Sequence, residues 1–179
     1  MLSQSKKDKT GASSKTRRLT LLAILLGNAL IASFIERSIP FNFAVPGVKL
    51  GLANVVTLFA LYKFKPGDVF VLVILKCIMT SIFIASFSAL AYSVCGSLLS
   101  FAAMTLILKT GRNLFSPVGV SVVGAICHNI GQILAASFML GSLLAVAYLP
   151  ALLISGVITG VLVGLVVKML LWYTASAFK

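Results

Sequence analysis

From Asp68 to Leu108 the chain runs 41 residues with a single charged side chain, Lys76, between Asp68 and Lys109. A bilayer crossing needs about 20 apolar residues as a helix, so this stretch is two crossings long. A run of that kind fits in water only as the inside of a large core. Here 60% of the 179 residues are hydrophobic and 10% are charged, too little polar surface to cover a soluble globule of this length. The expected solvent is lipid, and the expected fold is all-α, a single integral membrane bundle.

The remaining apolar stretches give the count. The first runs from Leu19 to about residue 35 and the second from about 47 to 64. The long run divides near Ser86–Tyr92, where Ser88 and Tyr92 soften it. A fifth span is expected over Pro117–Leu140. The sixth, Leu143–Trp172, is longer than a straight crossing needs, so it tilts or begins as an interfacial turn. The expectation is therefore six transmembrane helices over 19–179, preceded by a disordered basic tail at 1–18. That tail holds six of the basic residues and one acid, Asp8. The apolar run after it is long and no small-residue cleavage site follows, which suits a retained anchor better than a signal peptide.

Charge orients the spans. The net charge is +12, which in a soluble protein points to nucleic acid. No nucleic-acid motif accompanies it, and twelve of the 15 basic residues fall in the tail, in alternate loops (Lys63, Lys65, Lys109, Arg112) or at the end of span six (Lys168, Lys179). By the positive-inside rule these mark the cytoplasmic side, with both termini inside. The expected location is a bacterial cytoplasmic membrane.

Polar side chains inside lipid are costly, so each calls for a partner or a ligand. Counted at about 1.5 Å per residue, Asn28 and His128 fall near the midplane, and Asn54 and Gln132 share a depth in the outer half. Glu36 and Lys49 fall at the outer mouth. His128 and Gln132 are four apart on one helix face, and Asn129 projects about 100° away. The segment CHNIGQ thus offers an imidazole and two carboxamides to the bundle interior, for a ligand pocket or for an interhelical network. Lys49 opens a helix after Pro46 and Gly47 and opposes its dipole, which suits contact with an anion: Glu36, a ligand or a lipid headgroup. Pro40, Phe41 and Phe43 give the loop before it an irregular course. Lys76 fits three roles equally: pairing with a carbonyl, reaching for the inner surface, or binding an anion. Candidate ligand-binding residues are therefore Lys49, Asn54, His128, Asn129, Gln132, Asn28 and Glu36.

Catalytic chemistry has little to stand on. There is no P-loop, no Asp-rich cluster to hold magnesium on a diphosphate, and no Ser-His-Asp or Cys-His-carboxylate set. No metal site or cofactor is expected. Cys77, Cys95 and Cys127 lie in apolar stretches and read as buried free thiols. Gly156, Gly160 and Gly164 form GxxxGxxxG in span six, and Gly47 with Gly51 and Ala29 with Ser33 form shorter small-residue pairs. Close packing inside the bundle is the favoured use of these rows over a dimer interface.

At PGVKLGLANV (Pro46–Val55) and HNIGQ (His128–Gln132) the sequence resembles a bacterial family named both the Gx transporter family and heptaprenyl diphosphate synthase component I. The resemblance extends from Leu19 onward. The family is in turn similar to the S components of energy-coupling factor transporters. That resemblance implies six helices with cytoplasmic termini and capture of a small molecule from outside, with a transmembrane coupling subunit and ATPases as partners. Coupling subunits of that class typically meet an AxxxA pattern on the first helix, where this chain has Ala29-xxx-Ser33. The other family name implies a non-catalytic membrane component of isoprenoid or quinone biosynthesis, partnered with a prenyl transferase.

Overall fold

The computed structural model describes residues 2–38, 51–84, 87–111 and 114–176. Six α-helices account for nearly all of them: α1 Leu2–Ser38, α2 Leu52–Lys63, α3 Pro66–Ile84, α4 Phe87–Gly111, α5 Pro117–Leu140 and α6 Leu149–Ser176, with a 3-10 turn at Leu143–Tyr148 before α6. No strand occurs among the described residues. Five of the helices contain stretches long and apolar enough to cross a membrane. The chain is an all-α, multi-pass membrane protein.

The long apolar run divides as expected, between α3 and α4. The fifth span is the helix Pro117–Leu140, and the sixth begins with its 3-10 turn. Two expectations change. Span two is only 12 residues of helix, about 18 Å long, short of a hydrocarbon core of about 30 Å. It starts late because Gly51 takes a left-handed conformation, φ 73°, where the helix begins. Residues 39–50, which include Lys49 and the proline loop, lie outside the described residues. The basic segment expected as a disordered tail is instead helical, since α1 begins at Leu2. No proline interrupts it before Pro40, and its lysines and alanine are good helix formers.

The helices close a ring. In order of contact it runs α1, α2, α6, α5, α4, α3 and back to α1, and α5 is the most intimately packed, against α4 on one side and α6 on the other. Outward faces carry Ile31, Phe34, Phe83, Leu106, Phe138, Ile158 and Met169, all well exposed. A continuous apolar exterior of that size belongs in lipid. Cys95 is also exposed, contrary to its expected burial, whereas Cys77 is buried.

Lys63, Lys65 and Lys109 gather at one end of the ring. Arg18 of α1 pairs there with Asp68 in the first turn of α3. Just above this basic end the interior is filled by Leu58, Leu61, Val69, Val73, Met104, Val120, Val163 and Val167. Each inner stripe then turns polar as it moves away. On α3, Val69 and Val73 give way to Lys76 and Thr80. On α4, Met104 gives way to Ser100, Ser97 and Ser93. On α6, Val167 and Val163 give way to Thr159, and on α2, Leu61 and Leu58 give way to Asn54. The bundle is plugged with hydrocarbon at the basic end and lined with polar groups beyond it.

Candidate functional site

That polar lining encloses a cavity of about 270 Å³. Its floor is Leu58, Met104 and Val163, the top of the apolar plug. Its walls come from all six helices.

The α5 wall is held in register at both ends of that helix. Ser116 caps the start, its hydroxyl accepting from the Gly119 amide at 3.2 Å, with Pro117 in the first turn. Gly141 ends it in a left-handed conformation. In between, glycines bring neighbouring backbones into contact. A Cβ on Gly164 would sit 2.5 Å from Val118 Cα, and one on Gly160 would sit 2.7 Å from Val122 Cα. The GxxxGxxxG row is therefore the α5–α6 seam inside the bundle. Against α4, a Cβ on Gly131 would lie 2.6 Å from the Cys95 carbonyl oxygen. Gly96 does the same from the other side: a Cβ there would lie 2.9 Å from Gln132 Cγ and 3.0 Å from His128 Cε1. His128 and Gln132 thus reach the cavity across the bare backbone of Gly96. Asn129 faces α6, donating to the Leu152 carbonyl at 2.6 Å, and its side chain still lines the cavity.

Lys76 enters from α3. It is 5% exposed, and its ammonium donates to Ser97 Oγ at 3.4 Å. Ser93, Ser97 and Ser100 line α4 at i, i+4 and i+7. Ser100 is 2% exposed, and its hydroxyl has no hydrogen-bond partner among the described residues. Glu36 of α1, which also lines the cavity, accepts from the Gly51 amide at the start of α2. A carboxylate is favourable there because the helix N-terminus carries partial positive charge. Asn54 follows in the first turn of α2 and lines the same space.

Of the residues singled out from sequence, Glu36, Asn54, His128, Asn129 and Gln132 come together around this cavity. Lys49 lies outside the described residues. Asn28 is exposed on α1 and does not line the cavity; the inward stripe of that helix is Ala29, Ser33 and Glu36, and Asn28 is about 100° off it. Ala29 is fully buried and Ser33 lines the cavity, so this small-residue pair faces the bundle. Sequence reasoning missed Thr80, Ser121 and the serines of α4, and left Lys76 open. The signal was present as helical spacing: Ser93-Ser97-Ser100 on α4 and Lys76-Thr80 on α3 are single faces.

In chemical terms the site is a donor-rich chamber. An ammonium, an imidazole, three carboxamides, several hydroxyls and one carboxylate line it. Among the described residues no group of three His, Cys, Asp or Glu side chains is placed to hold a metal. The arrangement suits binding of a small molecule rich in acceptor atoms.

The family model for heptaprenyl diphosphate synthase component I matches residues 25–170, and the chain belongs to that family. No curated protein and no solved structure matches it.

Proposed function

We propose that this member of the heptaprenyl diphosphate synthase component I family is a membrane-embedded binding subunit that captures a small molecule for uptake. The observation that carries the reading is the one-sided cavity, lined with polar groups from all six helices and sealed by an apolar plug beneath. A protein that merely packed its helices has no use for a nearly buried lysine on a cavity wall, because an intramembrane charge is costly. The positive-inside rule places the basic end in the cytoplasm and the cavity on the outer side, where a capture protein needs it. The cavity, about 270 Å³, is just below the usual range for ligand pockets, which fits a small molecule or a compact head. Release to the inside requires the plug to open, and partner ATPases acting through a coupling subunit are the proposed source of that work. Ala29 and Ser33 face the bundle, so such a subunit would dock on another part of α1 or on another helix.

The test is mass spectrometry of small molecules retained by the purified protein in lipid nanodiscs. A reproducible ligand, lost in His128→Ala and Asn54→Ala variants, supports the reading. Normal retention in both variants removes the site.

The family description favours a second reading, a non-catalytic partner of a prenyl transferase. The chain does not carry the synthesis itself on this view. Its three acidic residues are Asp8, Glu36 and Asp68, and Asp68 is paired with Arg18, so no carboxylate pair is at hand for magnesium and a diphosphate. Co-purification with a soluble prenyl transferase, and loss of long-chain product on deletion, would select this reading.

A further inference from the structure

The cavity has a side exit of different chemistry. On the α1–α3 side, Ser33 and Thr80 line both the polar cavity and an apolar groove of about 460 Å³. The remaining walls of the groove are Gly27, Leu30, Ile31, Phe34, Ile35 and Phe83. Phe34 is 67% exposed and Phe83 is 73% exposed, so the groove opens sideways toward lipid. The change from polar to apolar falls on two hydroxyl residues. Ser33 turns its hydroxyl back to the Ala29 carbonyl of its own helix, at 2.9 Å. Thr80 Oγ1 is buried and has no partner among the described residues.

A wholly polar ligand would leave this groove unused, and a bulk lipid chain would have no use for the ammonium and hydroxyls next to it. We infer that the ligand is an amphiphile: an anionic head in the cavity beside Lys76 and Ser97, and an apolar chain that leaves between α1 and α3 along the groove. The inference rests on the binding reading above and specifies its substrate class. Lysine is a point-charge binder of phosphate-like groups, and the surrounding serines and carboxamides supply neutral donors. The chain stays in contact with hydrocarbon throughout, so entry from the outer leaflet avoids transferring it through water. A free single-chain amphiphile and a membrane phospholipid share this chemistry.

Gly27 offers a clean probe of the groove. A Cβ there meets nothing within 4 Å, so Gly27→Phe starts from open space on the groove wall. The experiment uses the full chain in phosphatidylcholine nanodiscs and dodecyl phosphate carrying a diazirine at its chain end. Labelled residues are mapped by mass spectrometry, and binding of phenyl phosphate is measured in parallel as a probe for the head alone. The expected result is labelling on Leu30, Phe34 or Phe83. Gly27→Phe lowers it about tenfold, the change produced by losing roughly 1.4 kcal/mol, and Lys76→Met lowers it too. Phenyl phosphate binding is lost in Lys76→Met but kept in Gly27→Phe. Displacement by dioleoyl phosphatidic acid identifies a membrane lipid as the source of the amphiphile; displacement by unlabelled dodecyl phosphate alone identifies a free single-chain one. If label spreads over outward residues such as Phe138 and Trp172 and ignores Gly27→Phe, the amphiphile is wrong. If phenyl phosphate still binds through Lys76 in that case, the cavity reading survives. If phenyl phosphate binding is also indifferent to Lys76→Met, both fall.

Discussion

Lys76 of α3 donates to Ser97 of α4 at 3.4 Å, inside a bundle that leaves the lysine 5% exposed. A charge in that position carries a desolvation cost, and methionine keeps most of the length and bulk of the lysine stem without it. Lys76→Met is therefore expected to melt at the same temperature as the parent in detergent, or higher. Ligand retention should fall by roughly ten- to hundredfold, the scale of a charged hydrogen bond of about 1.5–3 kcal/mol. Thermal unfolding followed by circular dichroism, together with retained-ligand mass spectrometry, checks both halves. A large drop in melting temperature would make Lys76 a structural residue.

The α5–α6 seam predicts a graded response at glycines. A methyl group on Gly164 meets Val118 Cα at 2.5 Å, backbone that cannot step aside. Gly164→Ala is expected to destabilise by about 1–3 kcal/mol, as overpacking does. Gly67 lies in the first turn of α3, and a methyl group there meets nothing within 4 Å. Gly67→Ala should be neutral, or stabilising by up to roughly 1 kcal/mol through reduced backbone freedom in the unfolded chain. Equal melting temperatures for the two variants would contradict the seam.

Much of this architecture is legible in the sequence because its signals are local. The expected fifth span, Pro117–Leu140, is the observed α5, and the glycines at 156, 160 and 164 announce a close approach. What the spacing cannot say is which helix lies opposite. Asn28 and Ala29 differ by one position, and only the neighbouring α2 and α3 decide that Ala29 and Ser33, not Asn28, face inward. The short α2 was hidden because Gly51 reads as an ordinary small residue in an apolar run, while its left-handed φ requires the fold. Serines escaped for another reason. They are near neutral in hydropathy and commonly bond back to their own helix, as Ser81 does to Cys77. Ser93, Ser97 and Ser100 become a polar wall only when Lys76 and His128 are brought up against them.

Glu36 and Gly51 meet on the cavity wall. The φ of 73° at Gly51 costs a residue with a Cβ about 1–2 kcal/mol, and the Gly51 amide donates to the Glu36 carboxylate. Gly51→Ala is expected to lower both melting temperature and ligand retention. Glu36→Gln keeps an acceptor oxygen for the amide and should retain most of the stability, while Glu36→Ala should not. Comparing the two Glu36 variants by thermal unfolding separates the hydrogen bond from the negative charge. Identical behaviour of Gln and Ala at this position would show that the amide contact contributes nothing.

The basic end predicts a topology that can be read on intact cells. Thr110 lies in the last turn of α4 beside Lys109, at the same end as the Arg18–Asp68 pair. Ser142 follows the C-terminal cap of α5 at the opposite end, near the turn into α6. In a background where Cys77, Cys95 and Cys127 are replaced by serine or alanine, single cysteines at 110 and 142 report the two sides. A membrane-impermeant maleimide should label Ser142→Cys in whole cells and reach Thr110→Cys only after the membrane is broken. That pattern puts the hydrocarbon plug toward the cytoplasm and the polar cavity toward the outside, as capture requires. The opposite pattern would put Lys63, Lys65 and Lys109 outside against the charge rule. It would also open the cavity to the cytoplasm and overturn capture from outside. The labelling result therefore orients the protein and tests the capture reading at once.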